Sequence, residues 1–461
     1  MKSILKNFSY SLTANLFSLV VSVTGVLILP KYLDINEYGK WQLYVFYLTY
    51  VVYLHCGWID GIYLRFPGNN FYKIYHSNVN YQLLLGSIAY WLLFLYLWVI
   101  KHIFYEDNIK FTIFLLAYIS GFFAIVATFS NVVFQIGNKI QTYAKIILCE
   151  KLMYCSFLIC FIILGLRSFE NIFFANLLAI LVNFFISLFL LKVLLLTKKN
   201  KNISTIKEFF FNINTGINIL FSNLIAVVIL GMIRFITSMI WNIEDFAKLS
   251  LLLSLLNFVL VAVNAINVVL YPIITQYSGN ILKMRNFYEI VDKASTIIYF
   301  FICILFIPVK LQLENFLPQY ADILQYFYFL IPISFVELKS GVIYTVFLKG
   351  IREEVKILRA NFSVFIVALL VIPLVFYFNF KIEKILIILF LLLLSKCLLL
   401  KIYLDRLLEI RVHRIFFEII LIISFSFLIF EFENYQIVIL FSILFISYCV
   451  FLKNTLLYKN M

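Results

Sequence analysis

Charge is scarce in this chain. Asp, Glu, Lys and Arg together make up 13% of its 461 residues, against roughly 25% in ordinary soluble domains. A soluble chain of this length would form two or three domains, each with a solvated surface. The residues for those surfaces are missing. Histidine is also rare: His55, His76, His102 and His413 are scattered, with no HExxH or comparable spacing, so neither metal nor cofactor is expected. The cysteines (Cys56, Cys149, Cys155, Cys160, Cys303, Cys397 and Cys449) contain no CxxC pair. All lie in or beside apolar runs, where a thiol behaves as a small hydrophobe. Long polar segments between the apolar runs are absent too, which leaves no room for a soluble domain.

What fills the chain is apolar. Hydrophobic residues make up 64%, with 52 Phe and 30 Tyr, and the mean hydropathy is +1.02. No aqueous core holds that much apolar surface, so the solvent is lipid and the fold is all-α and polytopic. A net charge of +14 invites a nucleic-acid reading. The basic residues sit in short clusters between apolar runs, however, as topology-setting loops require, and nucleic acid is excluded as a partner.

A helix crossing the membrane needs about 20 apolar residues. Such runs fall near 8–30, 41–64, 81–100, 111–134, 145–166, 172–196, 215–240, 247–275, 291–312, 321–348, 357–379, 384–405, 413–431 and 435–452, about 14 spans. The first is too long for a signal-peptide core and no A-x-A site follows it, so it is expected to stay as a helix. With the N-terminus in the cytoplasm, basic residues crowd the inner ends, among them Lys198, Lys199, Lys201, Arg352, Lys396, Lys401 and Arg406. The outer ends hold few, such as Lys31, Lys110 and Arg167. That asymmetry predicts cytoplasmic N- and C-termini and an inner-membrane location.

The sequence also echoes itself. LDINEYGKWQL (33–43) and WNIEDFAKLSL (241–251) align at an offset of 208, matching Ile35 with Ile243, Glu37 with Asp245, Tyr38 with Phe246 and Lys40 with Lys248. Each echo lies on the first helix pair of six spans. The expected organisation is a six-helix bundle over 1–196, a basic cytoplasmic linker at 197–214 and a second six-helix bundle over 215–405. Two additional helices and a short tail follow at 406–461. Halves with an even span count share one orientation and are related by an axis along the membrane normal; transporters built this way bind substrate between the halves.

Charges inside spans are the candidate site residues, because each costs about 2.5–3.5 kcal/mol to insert. Arg234, Glu337 and Lys339 fall within spans, with Glu150 a further cavity candidate. Glu337 and Lys339 stand at i and i+2 and point apart, so at least one needs a partner elsewhere. Arg234 is the expected partner of Glu337. These groups are either structural ion pairs or a cationic site for an anionic substrate, in which the planar Arg fork suits diphosphate oxygens. Glu337 could instead carry a coupling proton. At the inner end of span two, Gly57 and Gly61 bracket Trp58 and Asp60, letting backbone approach a neighbour. Asp60 and Arg65 there either gate the cytoplasmic mouth or anchor the helix at the interface.

LPKYLDINEYGKWQLYVFYLTYVVYLHCGWIDGIYLRFPG resembles the first two helices of bacterial O-antigen and capsule flippases. These belong to the multidrug/oligosaccharidyl-lipid/polysaccharide exporter superfamily. MIRFITSMIWNIEDFAKLSLLLSLLNFV, VVLYPIITQY and ELKSGVIYTVFLKGIREE are similar to later parts of that pattern. The resemblance implies an exporter-like (MATE-like) fold of two pseudo-symmetric six-helix bundles around a cavity, plus two C-terminal helices. It also implies an undecaprenyl-diphosphate-linked oligosaccharide as substrate, with polysaccharide polymerase and assembly proteins as partners. Rival readings are a drug/cation antiporter, a lipid II or other lipid flippase, and a polymerase or ligase. The last is an enzyme and needs sizeable outer loops, whereas those here hold about ten residues or fewer; no enzyme is expected.

Overall fold

In a computed structural model, residues 17, 21, 25–66, 78–104, 108–137, 139–195, 204–277, 279–378 and 381–410 are described. They form helices joined by short turns, with no strand among them. The helices are α1 (Leu29–Tyr32), α2 (Ile35–Val51), α3 (Trp58–Arg65), α4 (Val79–Phe104), α5 (Ile109–Ile136), α6 (Ile140–Ile163) and α7 (Phe169–Leu195). After them come α8 (Thr205–Ile240), α9 (Ile243–Tyr277), α10 (Ile281–Phe316), α11 (Leu330–Leu338, preceded by a four-residue α-helical turn at Ala321–Leu324), α12 (Thr345–Gly350), α13 (Glu354–Tyr377) and α14 (Ile382–Leu408). Eight helical stretches in the described residues are long and apolar enough to cross a membrane. The protein is an all-α, polytopic membrane protein. Most of the span expected at 8–30, and those at 413–431 and 435–452, lie outside the described residues.

Two spans begin earlier than their apolar runs. Helix α8 starts at Thr205 behind Ser204, whose side chain accepts from the Lys207 amide, so the second half of the expected linker is helical. Helix α10 starts at Ile281 behind Asn280, which accepts from the Lys283 amide at 3.0 Å. Ser and Asn caps satisfy amides that the first helical turn leaves open. Each of these helices has 36 residues, about 54 Å at 1.5 Å per residue. That exceeds a hydrocarbon core of roughly 30 Å, so charged first turns extend from both. Counting apolar residues stops at the first charge; the helix does not.

Two other spans are broken. Span two runs as α2, a 3-10 turn at Val52–His55, and then α3. Between them Cys56 (φ 51°) and Gly57 (φ 82°) take left-handed backbone, which glycine adopts freely and cysteine only under constraint. Span ten passes through 3-10 turns into α11, widens to a π-helical stretch at Lys339–Tyr344 and closes as α12. Freed backbone of this kind survives in lipid only where protein satisfies it.

The chain divides into two compact units, Met1–Ser250 and Leu251–Met461. In the first, Trp58 stacks on Phe129 at 5.3 Å within an apolar core that includes Ile62, Tyr118 and Val133. Glu37, from the first copy of the echoed segment, accepts the Phe169 amide at 2.6 Å and Lys40 at 2.5 Å, tying α2 to the start of α7. Gly39 lies against Ile243 and Ala247: a β-carbon on it would stand 3.1 Å from that of Ala247. Gly39 and Ala247 are equivalent positions of the echo.

Candidate functional site: a helix latch and a buried ionic cluster

Helices α3 and α8 pack antiparallel through a stripe of small and polar residues. Gly57 lies on the backbone of Gly216 and Ile217, and Gly61 on that of Asn212. One turn on, Arg65 donates to Glu208 at 2.8 Å and to Asn212 at 2.6 Å. Steps of four residues on α3 (Gly57, Gly61, Arg65) thus meet steps of four on α8 (Gly216, Asn212, Glu208). Small residues let the backbones approach, and the ion pair fixes the register. Asn212 also donates to Gln82 at 2.7 Å, and Gln82 accepts from Trp58 at 2.8 Å. The Arg65 guanidinium lies 4.3 Å from the Phe211 ring centroid, a cation–π contact.

Asp60 and Arg65 therefore do not act as one pair. Asp60 faces His55 across the helix break at 3.9 Å, while Arg65 belongs to the crossing. The sequence exposed the glycines and Arg65 but not the α8 half, because Glu208 and Asn212 fell inside the expected linker.

Arg234 lies on α8 and donates to the Ser250 carbonyl at 3.1 Å, with the Tyr38 and Tyr50 hydroxyls in electrostatic reach. Glu337, its expected partner, meets Lys396 at 3.1 Å. Next to Arg234, α2, α5 and α8 enclose a cavity of about 770 Å³. Its wall is mostly aromatic and aliphatic, including Phe46, Tyr50, Phe114 and Phe235. Lys110 closes one end, donating to the carbonyls of Ser238 at 2.5 Å and Trp241 at 2.9 Å. Arg234 itself does not line this cavity. Glu150 accepts from Asn183 at 2.5 Å and from Lys151 at 3.0 Å, a polar tie between α6 and α7.

The second unit holds the largest group of buried charges among the described residues. Glu337 on α11 meets Lys396 of α14 at 3.1 Å. Lys339, fully buried, meets Asp292 of α10 at 2.7 Å. Lys401 lies 3.3 Å from Asp405 on α14 and donates to Tyr288 at 3.2 Å. The Cys397 thiol is within electrostatic reach of Glu337, Lys339, Lys396 and Lys401, and Asp405 within reach of Asp292. The three pairs thus form one cluster, centred on α14. Glu337 and Lys339 are the members that the sequence singles out. Lys396 and Lys401, counted among the inner-end cations although both lie within the run 384–405, meet carboxylates: Lys396 meets Glu337 and Lys401 meets Asp405.

No family model and no curated protein matches the sequence. Solved structures do match the fold. The lipid II flippase MurJ, in an inward closed conformation, aligns with a TM-score of 0.64 at 16% identity, over 97% of this chain and 99% of that one. An inward-facing MATE family multidrug resistance transporter of the MOP superfamily aligns at 0.59 with 12% identity, over 83% and 92%. The MATE transporter VcmN of Vibrio cholerae aligns at 0.58 with 12% identity, over 88% and 97%. The chain has the fold that these MATE transporters and the lipid II flippase share.

Proposed function

We propose that this protein is a flippase that carries an undecaprenyl-diphosphate-linked oligosaccharide repeat unit, of O-antigen or capsule type, across a bacterial inner membrane. Movement is from the cytoplasmic to the periplasmic leaflet, by alternating access, with both chain termini in the cytoplasm. The observation that carries this reading is the fold likeness to a lipid II flippase over nearly the full length of both chains. Lipid II flippase activity is a property of that protein; here it supports a lipid-linked substrate. Two features of the first unit add support. The aromatic cavity beside Arg234 suits an apolar chain, and Arg234 supplies a permanent cation nearby. The α3–α8 crossing supplies a closure made of polar and small-residue contacts, the kind that joins helices within a membrane.

The echo of 33–43 in 241–251 supports the proposed repeat. On this reading six-helix bundles over 1–196 and 215–405, with the segment 406–461 added, form the transporter. A polysaccharide polymerase and assembly proteins would receive its product. No covalent chemistry is assigned to the chain.

A drug/cation antiporter is the second reading, favoured by the shared fold with multidrug MATE transporters. Deleting the gene separates the two. The flippase reading expects lipid-linked repeat units to accumulate in the inner leaflet and surface polymer to fall, both restored by the wild-type chain and not by Arg234→Ala at equal membrane level. Unchanged polymer in a strain with no redundant flippase would reject it.

A further inference from the structure

Lys339 sits in a cage of oxygens. Its ammonium is 2.7 Å from Asp292 Oδ1, 3.0 Å from the Asp292 carbonyl oxygen and 2.7 Å from Thr296 Oγ1. A carboxylate, a main-chain carbonyl and a hydroxyl converging on one point form the oxygen set that holds hard cations. An ammonium has three N–H bonds, and three acceptors face it. Asp292 and Thr296 lie one turn apart on α10, so the cage is built into a single helix. Lys339 enters from the start of the π-helical stretch at Lys339–Tyr344, a local widening often tied to function.

Among the described residues, the carboxylates of this cluster are paired. Asp292, Glu337 and Asp405 each have a lysine ammonium within 3.3 Å: Lys339, Lys396 and Lys401. Tyr288 bridges the last pair, donating to Asp405 at 3.4 Å and accepting from Lys401. A buried carboxylate without a counter-charge would draw in a proton or a metal ion. Here each one is already neutralised by a group of the chain itself.

We propose that the Lys339 ammonium permanently occupies a monovalent-cation site built by Asp292 and Thr296, so that no exchangeable sodium or potassium enters that site during the conformational cycle. The occupancy is independent of the flippase reading; only its meaning for transport rests on that reading.

The test uses purified full-length protein and no lipid substrate, so its result is separate from the fate of the flippase assignment. Thermal unfolding is followed in sodium, potassium or rubidium chloride, each against choline chloride at equal ionic strength. The wild-type midpoint should be the same in all four salts, and equilibrium binding of radioactive sodium or rubidium should show no saturable component. Lys339→Ala empties the cage and exposes Asp292 to solvent ions. Its midpoint should drop in choline and recover by on the order of 1–2 °C at a small-cation concentration about ten times its Kd. Lys339→Ala combined with Asp292→Asn should lose that recovery.

Two results would overturn the proposal. One is saturable sodium or rubidium binding to the wild type that Asp292→Asn abolishes. The other is folded Lys339→Ala with the same midpoint in choline and in every small cation. If Lys339→Ala yields no folded protein in any salt, wild-type binding decides alone: none upholds the proposal, saturable binding lost in Asp292→Asn ends it.

Discussion

Gly61 of α3 and Asn212 of α8 lie backbone against backbone, so close that a β-carbon on Gly61 would overlap the Asn212 carbonyl. Glycine is required here by proximity and not by a left-handed dihedral. Gly61→Leu should therefore wedge the helices apart. Overpacking of this kind costs typically 1–3 kcal/mol. The variant should melt lower. An unchanged midpoint would mean that the crossing is loose in solution.

Arg65 and Glu208 keep about a fifth to a quarter of their side-chain surface exposed, so their pair should add little to stability, about 0.2–1 kcal/mol. Its expected effect is on function. Arg65→Glu and Glu208→Arg alone should each impair polymer export in the deletion strain. Together they should restore much of it, since the pair survives with its signs exchanged. Lysine at position 65 should restore less than arginine, because one ammonium does not reproduce the fork that reaches both Glu208 and Asn212. Equal export by all variants would remove this contact from the gate.

If the crossing opens during transport, covalent closure should stop it. With exposed Cys56 and Cys160 replaced by Ser, cysteines at positions 65 and 208 joined by a short bifunctional thiol reagent should abolish export, and reduction should restore it. Full activity in the cross-linked protein would show that α3 and α8 stay together throughout the cycle.

Lys339 and Asp292 offer a stability test. Removing one partner leaves a buried charge, at a cost of about 3–5 kcal/mol, whereas replacing both with apolar residues is often near neutral. Asp292→Leu should therefore melt well below the wild type, and adding Lys339→Met should recover most of the loss. Additive losses in the double variant would contradict a coupled pair.

Much of the fold could be read from the sequence, because apolar runs of membrane length carry most of the information in a lipid-dissolved chain. Helix existence followed from those runs; helix ends did not. Ser204 and Asn280 start helices among charged residues, where hydropathy is silent. The break at Cys56–Gly57 was signalled by its glycine. The crossing itself needed a second strip, Glu208–Asn212–Gly216, that looks like ordinary loop-and-span sequence. The ionic cluster was half legible: Glu337 and Lys339 stand out inside an apolar run. Their partners lie in other runs, Lys396 in 384–405 and Asp292 in 291–312, and only tertiary structure shows which carboxylate meets which lysine. Pairing is a three-dimensional fact, which is why Lys396 and Asp292 emerge as partners only in the fold.

The most direct measurement of the central claim is reconstituted translocation. Purified protein is placed in liposomes containing a labelled undecaprenyl-diphosphate-linked oligosaccharide, and a glycan-cleaving enzyme added outside reports the exposed fraction over time. Protection of the inner-leaflet pool should be lost at a rate proportional to protein content, and Arg234→Ala and the closed 65–208 cross-link should slow this loss to the rate of empty liposomes. A rate equal to that of protein-free liposomes with the active wild-type chain, under conditions where a known flippase works, would contradict it.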